Sequence, residues 1–327
     1  MREKTVSIVV CTFNGSRYLR PQLDSLLAQT YPVAEIIVQD DGSTDDTMSI
    51  LADYAANHPS IKVFSNQGPH GINANFYSAM RRASSQWIAL CDQDDVWEPQ
   101  KIERQMAAIG HHLLCAGRSV PFSADGSFVH DDGRRPNTTL LRMLYCAEIA
   151  GHTMLLNRRL LDMVPMQSAV CRNRCYDIVL SVAAAACGSI QWIDEVLVHQ
   201  RRYASASTYT SVEDSLPTAH NGIRMLRWCL RHYADVKRRS AGTYRDWEEF
   251  LTLLGADNPV ARDGIRMMQL QQSSRLADVL KLTLFCARHR EEILHTKGRF
   301  PQNLIRAVLF PLTSCYYQRA VVLKESK

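Results

Sequence analysis

The sequence predicts an α/β fold with a mainly parallel central sheet, followed by a C-terminal region built only of helices. Short β-branched runs alternate with amphipathic helical segments through the first hundred residues, a pattern typical of βαβ units with right-handed crossovers. From about residue 216 onward only helical patterns remain. The net charge also changes, from −4 over residues 1–200 to +9 over residues 201–327. These observations together predict two domains, residues 1–210 and residues 211–327.

The first strand and the first helix illustrate the pattern. Val6–Cys11 is a continuous, largely β-branched run, which is typical of a strand buried on both faces. Residues 16–29 carry Leu19 and Leu23 on one helical stripe, so we expect an amphipathic helix there. The same reasoning predicts, in order, strand Glu35–Gln39, a helix to Asn57 capped by Ser43 or Thr44, strand Ile61–Phe64, helix 72–83, strand Trp87–Cys91 and a helix that opens at Pro99.

Beyond residue 112 the pattern is less regular. We expect strands around a mobile loop over 113–136, a helix over 138–147, a strand over Gly151–Leu156, an Ala-rich helix over Tyr176–Cys187 and a last strand over Ile190–His199. The C-terminal region predicts helices over 216–234, 242–254, 259–271, 275–293 and 302–320. No run reaches the roughly 18 apolar residues expected of a membrane-spanning helix, and the N-terminal residues lack the pattern of a signal peptide.

Polar residues follow each of the first four predicted strands. The four segments are Thr12–Gly15, Asp40–Ser43, Asn66–Gly68 and Asp92–Asp95. Ligands of open parallel sheets bind outside the carboxyl ends of the strands. We therefore expect a ligand site at this edge of the sheet, with acidic side chains supplied by two of the four segments.

The segment Asp92-Gln93-Asp94-Asp95 places three carboxylates within four residues. Close carboxylates repel one another and raise each other's pKa unless a cation or hydrogen bonds compensate. Mg²⁺ is usually bound by one or two carboxylates together with substrate phosphates and water. We therefore predict that Asp92, Asp94 and Asp95 bind Mg²⁺ or Mn²⁺. The alternative is that they cap the helix that opens at Pro99.

The second acidic segment places Asp40 and Asp41 before Gly42 and Ser43. Gly42 predicts a tight turn, and a carboxylate there can accept a hydrogen bond from a pyrimidine base or a ribose hydroxyl. The sequence favours Asp40 slightly but does not separate it from Asp41. The sequence contains no Gly-rich phosphate loop, EF-hand loop or GxSxG elbow. A diphosphate would therefore be bound through a cation and basic side chains.

The ordered set of these segments resembles the family 2 glycosyltransferases with the GT-A fold. The resemblance covers residues 5–205 and is carried by VSIVVCTFNGSRYLRPQLDSLLAQTYP, EIIVQDDGSTDDT and NQGPHGINANFYSAMRRASSQWIALCDQDDVWEPQKI. The DQDDVW form is similar to the bacterial branch that builds surface polysaccharides, including rhamnosyltransferase-like enzymes. The QxxRW motif of processive synthases is absent, because the corresponding segment is HQRRY. The resemblance thus implies transfer of one sugar, or a few.

The resemblance also implies roles for individual residues. The positions that contact the donor nucleotide correspond to Thr12, Asn14, Asp40, Asp41 and Asp92. The metal motif corresponds to Asp92, Asp94 and Asp95. Asp177 matches the general base at the start of the acceptor-side helix, although Tyr176 stands where the family has Glu or His; a helix cap is the alternative. Arg201 and Arg202 follow the last strand, where they either contact the diphosphate or form a solvated surface pair.

The implied function is inverting transfer of a sugar from a UDP- or dTDP-linked donor, with rhamnose as one candidate sugar. The acceptor would be a hydroxyl of a glycan or lipid-linked glycan in cell-surface polysaccharide biosynthesis. One alternative is a catalytically idle nucleotide-sugar-binding partner protein. Another is a haloacid-dehalogenase-type phosphohydrolase, because Asp92–Val96 fits its DxDx[TV] motif, although that family places the motif after its first strand.

The remaining expectations concern location and the other polar residues. We expect a cytoplasmic protein with no nucleic-acid partner. The basic C-terminal helices either contact an anionic membrane at the cytoplasmic face of the inner membrane or pack on the catalytic domain with a solvated basic face. The sequence does not reveal the oligomeric state. His70 lies in a Gly-rich turn from which it could approach the donor, and His130 and His152 have no companion ligand at zinc-like spacing. We interpret all three as structural rather than catalytic residues. The ten scattered cysteines are expected to be free thiols, as in a reducing compartment.

Overall fold

A computed structural model of the protein describes residues 5–126, 131, 133–203, 219–255, 258–295 and 300–319. The strands lie in one eight-stranded sheet in the order β3-β2-β1-β4-β7-β6-β8-β5. In chain order they are β1 (Val6–Thr12), β2 (Val33–Asp40), β3 (Ile61–Ser65), β4 (Trp87–Cys91), β5 (Val96–Trp97), β6 (Leu114–Ser123), β7 (Leu155–Asn157) and β8 (Ile190–Arg202). His130 and part of the loop predicted over 113–136 lie outside the described residues.

The helices of the first part of the chain alternate with these strands. They are α1 (Ser16–Leu27), α2 (Thr47–Asn57), α3 (Ile72–Arg82), α4 (Lys101–Ala108), α5 (Leu140–Met143), α6 (Arg158–Met163), α7 (Ala169–Asn173) and α8 (Tyr176–Ala186). The C-terminal helices are α9 (Ala219–Leu253), α10 (Pro259–Gln272), α11 (Leu276–Arg288), α12 (Arg290–Ile293), α13 (Gln302–Val308) and α14 (Phe310–Thr313). Short 3-10 helices cover Gly151–Thr153 and Ser314–Gln318.

Parallel pairing dominates the sheet. β1 pairs in parallel with β2 and β4, β2 with β3, and β6 with β8. β7 runs antiparallel between β4 and β6, and the short β5 is antiparallel to β8. Because β7 opposes both of its neighbours, β4 and β6 point the same way, and the carboxyl ends of β1, β2, β4 and β6 lie at one edge. The predicted fold class is confirmed.

Both faces of the sheet are covered, and the alternation of side chains along β1 shows how. Ile8 and Val10 are buried in a cluster with Leu23 of α1. Val9 lies on the opposite face, in a cluster that includes Phe76 of α3. This burial on both sides explains why β1 is a continuous apolar run instead of an alternating one.

The C-terminal helices share the core of the second face. Leu251 of α9 and Met267 of α10 are buried in the same cluster as Leu140 of α5. Gly264 of α10 permits this close approach, because a Cβ at that position would lie 2.7 Å from Leu140 Cδ2 and 3.1 Å from Leu251 Cδ1. The division into residues 1–210 and 211–327 stays a prediction.

One predicted strand has a different structure at its start. The strand predicted over Gly151–Leu156 begins instead as a 3-10 turn, because the N–H groups of Thr153 and Met154 bond to the carbonyls of Ala150 and Gly151. β7 then extends only from Leu155 to Asn157. The helix predicted over 138–147 is likewise reduced to the four residues of α5.

The two helices predicted over 216–234 and 242–254 are one helix, α9. Asp235 forms ion pairs with Arg238 and Arg239, at i+3 and i+4 spacing that supports a continuous helix through the predicted break. No helix among the described residues combines the length and the apolarity that crossing a bilayer requires. All ten cysteines are free thiols, as expected.

The junction between α5, α9 and α10 can be tested by one substitution made at two glycines. Gly264→Val is expected to lower the free energy of unfolding by about 1–3 kcal/mol, because it overpacks the buried contact with Leu140. Gly242→Val in α9 is the control: its Cβ would have no neighbour within 4 Å, so we expect little change. Urea denaturation measures both. Equal effects of the two substitutions would contradict the packing role of Gly264.

Candidate active site

Asp40 organises the turn that follows β2. It is only 2% exposed, and its Oδ1 accepts hydrogen bonds from the hydroxyls of Thr12 at 2.8 Å and Ser43 at 2.6 Å. Its Oδ2 accepts the N–H groups of Gly42 and Ser43. Gly42 has a φ of +89°, which a glycine adopts without strain. All four acceptor positions of the Asp40 carboxylate are therefore filled.

Asn14 joins the loop after β1 to the loop after β2. Its N–H donates to Ser43 Oγ at 2.8 Å, and its side-chain Oδ1 accepts the N–H of Thr44 at 2.8 Å. The prediction that Ser43 or Thr44 caps α2 is therefore wrong, because these residues bond to the β1 loop and Asp46 directly precedes the helix. Thr12, Asn14 and Asp40 lie together, as the sequence analysis requires of a shared site.

Asp41 lies at the rim of the same edge. Its Oδ1 accepts a hydrogen bond from Asn66 Nδ2 at 2.7 Å and lies 3.0 Å from His70 Nδ1, while its Oδ2 accepts the N–H of Gly71. Partial burial raises the pKa of this carboxyl, but the hydrogen bonds outweigh it and hold the pKa below its usual value. Asp41 is thus ionised at neutral pH, and it keeps one free acceptor position.

Gln93 connects the acidic segment after β4 to the loop after β1. The N–H of Phe13 donates to Gln93 Oε1 at 2.9 Å, and Gln93 Nε2 donates to the carbonyl of Phe13 at 3.1 Å. The loops after β1, β2 and β4 are therefore joined by direct hydrogen bonds at the carboxyl edge of the sheet. This is the edge at which a ligand site is expected from the polar segments that follow the strands.

Two carboxylates and one imidazole converge after β4. His152 Nδ1 lies 3.2 Å from Asp92 Oδ2 and 3.4 Å from Asp95 Oδ2. The ligand atoms of Asp92, Asp95 and His152 all lie within 4.8 Å of one another. Asp95 and His152 are buried, whereas the Asp92 side chain is 40% exposed. We call these three residues the Asp-His cluster.

His152 has two carboxylate neighbours that its position in the sequence did not indicate, and its interpretation as a structural residue stays a prediction. The residue lies in the 3-10 turn before β7, and β7 pairs antiparallel with β4, so the turn lies beside the segment after β4. No spacing rule in the sequence indicates this contact, since 60 residues separate His152 from Asp92. The antiparallel pairing of β4 and β7 is the signal that would have revealed it.

The Asp-His cluster has unusual protonation. Burial, with the charges of Asp92 and Asp94, raises the pKa of Asp95 to about 7, although the nearby His152 opposes this shift. Burial lowers the pKa of His152, but the carboxylates Asp95 and Asp92 outweigh it and raise that pKa above its usual value. Near neutral pH, the buried side chains of Asp95 and His152 therefore retain protons that the same side chains would lose in water.

The residues of the Asp-His cluster fit a divalent cation. The buried Asp95 Oδ2 accepts no hydrogen bond from the described residues, and such an atom is costly unless a ligand satisfies it. Carboxylates favour Mg²⁺ and Mn²⁺, while an imidazole favours transition metals. The donor set therefore fits Mn²⁺ and, with water completing the coordination, Mg²⁺.

Asp94 and the segment after β8 form the other side of this loop. The Tyr203 hydroxyl donates to Asp94 Oδ2 at 2.6 Å, and Asp94 is not part of the Asp-His cluster. The N–H of Arg201 donates to Asp95 Oδ1 at 2.9 Å, and its guanidinium lies over the ring of Tyr18 at 4.5 Å. Tyr203 is a site residue that sequence reasoning missed. Diphosphate contact by Arg201 and Arg202 stays a prediction.

Asp177 lies in the first turn of α8, beside the 3-10 turn. Burial raises the pKa of its carboxyl, although hydrogen bonds from Cys175 and from the N–H groups of Ile178 and Gly151 lower it. Cys175, not Asp177, occupies the position before the helix. The turn is packed tightly against α8, since a Cβ on Gly151 would lie 2.2 Å from Tyr176 Oη. One short turn thus contacts both Asp177 and, through His152, the acidic segment.

The protonation of the Asp-His cluster predicts how stability depends on pH when a chelator is present. Because folding raises the pKa of Asp95 and of His152, the stabilising protonated forms are lost as pH rises from about 5 to 8, and the free energy of unfolding should fall. Asp95→Asn should flatten this decline, as measured by urea denaturation across pH. Asp45→Asn is the control, since hydrogen bonds overcome desolvation and hold the pKa of Asp45 at about 2. If Asp95→Asn leaves the decline of stability with pH unchanged, the raised pKa of Asp95 is not its cause.

Part of the chain is similar to a known family of proteins. Residues 7–163 match the family model described as glycosyl transferase family 2. An uncharacterized protein of Mycobacterium tuberculosis is 37% identical over 111 residues, which are 33% of this chain and 32% of that protein. TuaG of Bacillus subtilis, a putative teichuronic acid biosynthesis glycosyltransferase, is 32% identical over 129 residues, or 39% of this chain and 49% of TuaG. The match thus spans about a third to a half of these relatives.

Solved structures show the same fold over nearly the whole chain. TarS 1–349 of Staphylococcus aureus superposes with a TM-score of 0.54 at 16% identity, covering 99% of this chain and 92% of that chain. The mannosyltransferase PcManGT from Pyrobaculum calidifontis gives a TM-score of 0.50 at 16% identity, covering 98% of this chain and 86% of that chain. Residues 7–163 are therefore similar to the glycosyltransferase family 2 domain, and the fold is shared with these solved structures.

Proposed function

We propose that this protein is an inverting, metal-dependent glycosyltransferase that moves a sugar from a nucleoside-diphosphate sugar to a hydroxyl of a glycan or lipid-linked glycan. One observation carries the proposal: the Asp-His cluster lies at the carboxyl edge of the sheet, connected on one side to the turn of Asp40 and Asp41 and on the other to Asp177. Among solved neighbours, TarS is known in complex with UDP and with UDP-GlcNAc, and PcManGT with GDP-Man and Mn²⁺.

For the donor nucleotide we propose that Asp41, rather than Asp40, accepts a hydrogen bond from the base or ribose. The Asp40 carboxylate has no acceptor position left, whereas Asp41 is ionised and more exposed. Thr12 and Asn14 would shape the wall of this pocket, since both are fixed to the turn after β2. UDP or dTDP remains the proposed nucleotide. Rhamnose as the sugar rests on the DQDDVW segment alone.

For the cation we propose Asp92, Asp95 and His152 as its protein ligands. When bound, a divalent cation stabilises the negative charge that develops on the leaving nucleoside diphosphate. The resemblance also assigns Asp94 to the metal; in this structure its carboxylate accepts the Tyr203 hydroxyl, so we propose that Asp94 positions the loop. Arg201 and Arg202 would add positive charge near the diphosphate.

For proton transfer we propose that Asp177 removes the proton of the acceptor hydroxyl. A general base is most effective when its pKa lies near the working pH, and burial moves the pKa of Asp177 in that direction. The relatives support a glycan acceptor, because their printed names include teichuronic acid biosynthesis for TuaG and chondroitin synthase for an Escherichia coli protein that is 38% identical over 102 residues. That match covers 31% of this chain and 15% of the synthase.

The alternatives are less well supported. A haloacid-dehalogenase-type phosphohydrolase places its acidic motif after the first strand of the domain, whereas Asp92 follows β4, and the fold is that of GT-A neighbours. An idle nucleotide-sugar binder would have no need for a buried carboxyl with a raised pKa at the start of α8. Activity of the wild-type protein is the observation that separates the idle binder from the enzyme.

Asp177→Asn tests the proposed base. We expect kcat to fall by about 10²–10⁴-fold, because the amide cannot take up a proton, while the Kd of the nucleoside diphosphate stays unchanged. The assay is release of nucleoside diphosphate from UDP- and dTDP-sugars in the presence of simple methyl glycosides. Asp162→Asn, at an exposed acid on α6, is the control and should retain full activity. Wild-type activity in Asp177→Asn would exclude this residue as the base.

We propose that α11 makes the predicted contact with an anionic membrane. Leu276, Leu280 and Leu284 recur every four residues on α11 and are 75%, 56% and 63% exposed. The exposed ionic groups of residues 275–288 are cationic: Arg275, Lys281 and Arg288. The one acid in this range, Asp278, is half-buried and bonded to Ser273 and Lys281. Apolar side chains flanked by cations are the pattern of helices that lie on anionic lipid.

Vesicle co-sedimentation tests this surface. We expect the wild-type protein to bind vesicles that contain anionic phosphatidylglycerol and to bind pure phosphatidylcholine weakly. Leu280→Glu should reduce binding at least about tenfold, since it removes apolar burial and adds repulsion. Leu253→Glu on α9, at a similarly exposed leucine outside the stripe, is the control. Equal binding of both vesicle types would contradict the electrostatic part of the proposal.

A further inference from the structure

A cavity of about 240 Å³ lies beside β6 and β8, next to the 3-10 turn. Its walls come from β6, from Asp131 and residues 133–136 after β6, from residues 148–153 before and within the 3-10 turn, from β8 and from the segment after α12. Its lining includes Arg118, Ser119, Arg134, Glu148, Trp192 and His295. None of these residues has a role in the donor site described above, apart from the contact of Ser119 with His152.

The 3-10 turn separates this cavity from the proposed catalytic groups. Ala150 and Thr153 line the cavity, and between them Gly151 donates its N–H toward Asp177. His152 contacts both sides, since its Nδ1 lies 3.2 Å from Asp92 and its Nε2 lies 2.9 Å from Ser119 Oγ in the cavity wall. A ligand in the cavity would therefore lie one turn away from both the Asp-His cluster and the proposed base.

The cavity lining combines an aromatic ring with hydrogen-bond donors and an acceptor, which are the groups that bind a sugar. Trp192 offers an indole, and the C–H face of a pyranose ring packs against such flat apolar groups. Arg118 and Arg134 supply hydrogen-bond donors, while Glu148, which is paired with Arg142 and His295, supplies an acceptor. A ring of hydroxyls needs both kinds of partner. A lipid chain would leave these polar groups unsatisfied.

The size of the cavity limits the ligand. Sites for drug-sized molecules have volumes of roughly 300–1,000 Å³, and this cavity is smaller. A single sugar ring fits, whereas a nucleoside diphosphate or an oligosaccharide would extend outside. Because the cavity is open to solvent at one side, a glycan can place one ring inside and continue outward.

We propose that this cavity binds one sugar ring of the acceptor, with Trp192 against the ring face and Arg134 on its hydroxyls. The C-terminal helical region then contributes to acceptor choice, because His295, from the segment after α12, forms part of the wall. This inference rests on the proposed function, since it assigns the cavity to the acceptor of that same transfer reaction.

The test uses adjacent arginines. Arg134 and Arg135 are both exposed, and Arg134 lines the cavity while Arg135 is not among its lining residues. The probes are methyl glycosides of glucose, galactose, N-acetylglucosamine, rhamnose and glucuronic acid, detected by saturation-transfer NMR on the full chain. We expect at least one glycoside to bind the wild-type protein and Arg135→Ala equally, and to lose binding at least fivefold in Arg134→Ala and in Trp192→Ala.

Nucleotide binding by the same samples separates the two proposals. If UDP or dTDP binds normally but no glycoside binds the wild-type protein, the cavity proposal is wrong and the proposed function stands. Glycoside binding that is equal in Arg134→Ala, Trp192→Ala and the wild-type protein also overturns the cavity proposal. If no nucleotide binds, the proposed function fails, and the assignment to an acceptor fails with it.

Discussion

His152 is buried against two carboxylates at the carboxyl edge of the sheet, and the arrangement of the surrounding loops depends on that contact. Removing an ionised group from water costs several kcal/mol, and attraction between buried charges compensates only with good geometry and further hydrogen bonds. Here Asp95 has one oxygen bonded to the N–H of Arg201 and the other facing His152. Because Asp95 and His152 retain protons, less free energy is spent on burying charge in the Asp-His cluster. A bound divalent cation would reduce this desolvation cost further.

Two buried aspartates in the same edge illustrate the difference between a structural and a ligand-binding carboxylate. Asp40 accepts four hydrogen bonds from its own turn and from Thr12, so its charge is fully compensated within the protein. Asp95 is equally buried but has an oxygen without a hydrogen bond from the described residues. Burial alone therefore does not distinguish a ligand-binding carboxylate from a structural one. The distinguishing feature of Asp95 is its Oδ2 atom, which has no hydrogen bond from the described residues.

The sequence was sufficient to predict the parallel half of the sheet and the edge where the site lies. Continuous apolar strands with polar segments after them are local features, so Thr12, Asp40 and Asp92 could be placed before the structure was known. His152 and Tyr203 could not be placed, because the pairing of β7 and β8 brings them to the site from 60 and 109 residues away in the sequence. The length of α9 was missed because the ion pairs of Asp235 carry the helix across a polar stretch.

The most direct test of the account is calorimetric titration of UDP, dTDP, GDP and ADP, with and without Mn²⁺, on the wild-type protein and on Asp95→Asn. The account predicts binding of UDP or dTDP that requires the cation and is lost in Asp95→Asn. Asp46→Asn, at an exposed acid before α2, should bind like the wild-type protein. Nucleotide binding that ignores Mn²⁺, or that survives in Asp95→Asn, would contradict the assignment of the Asp-His cluster as the cation site.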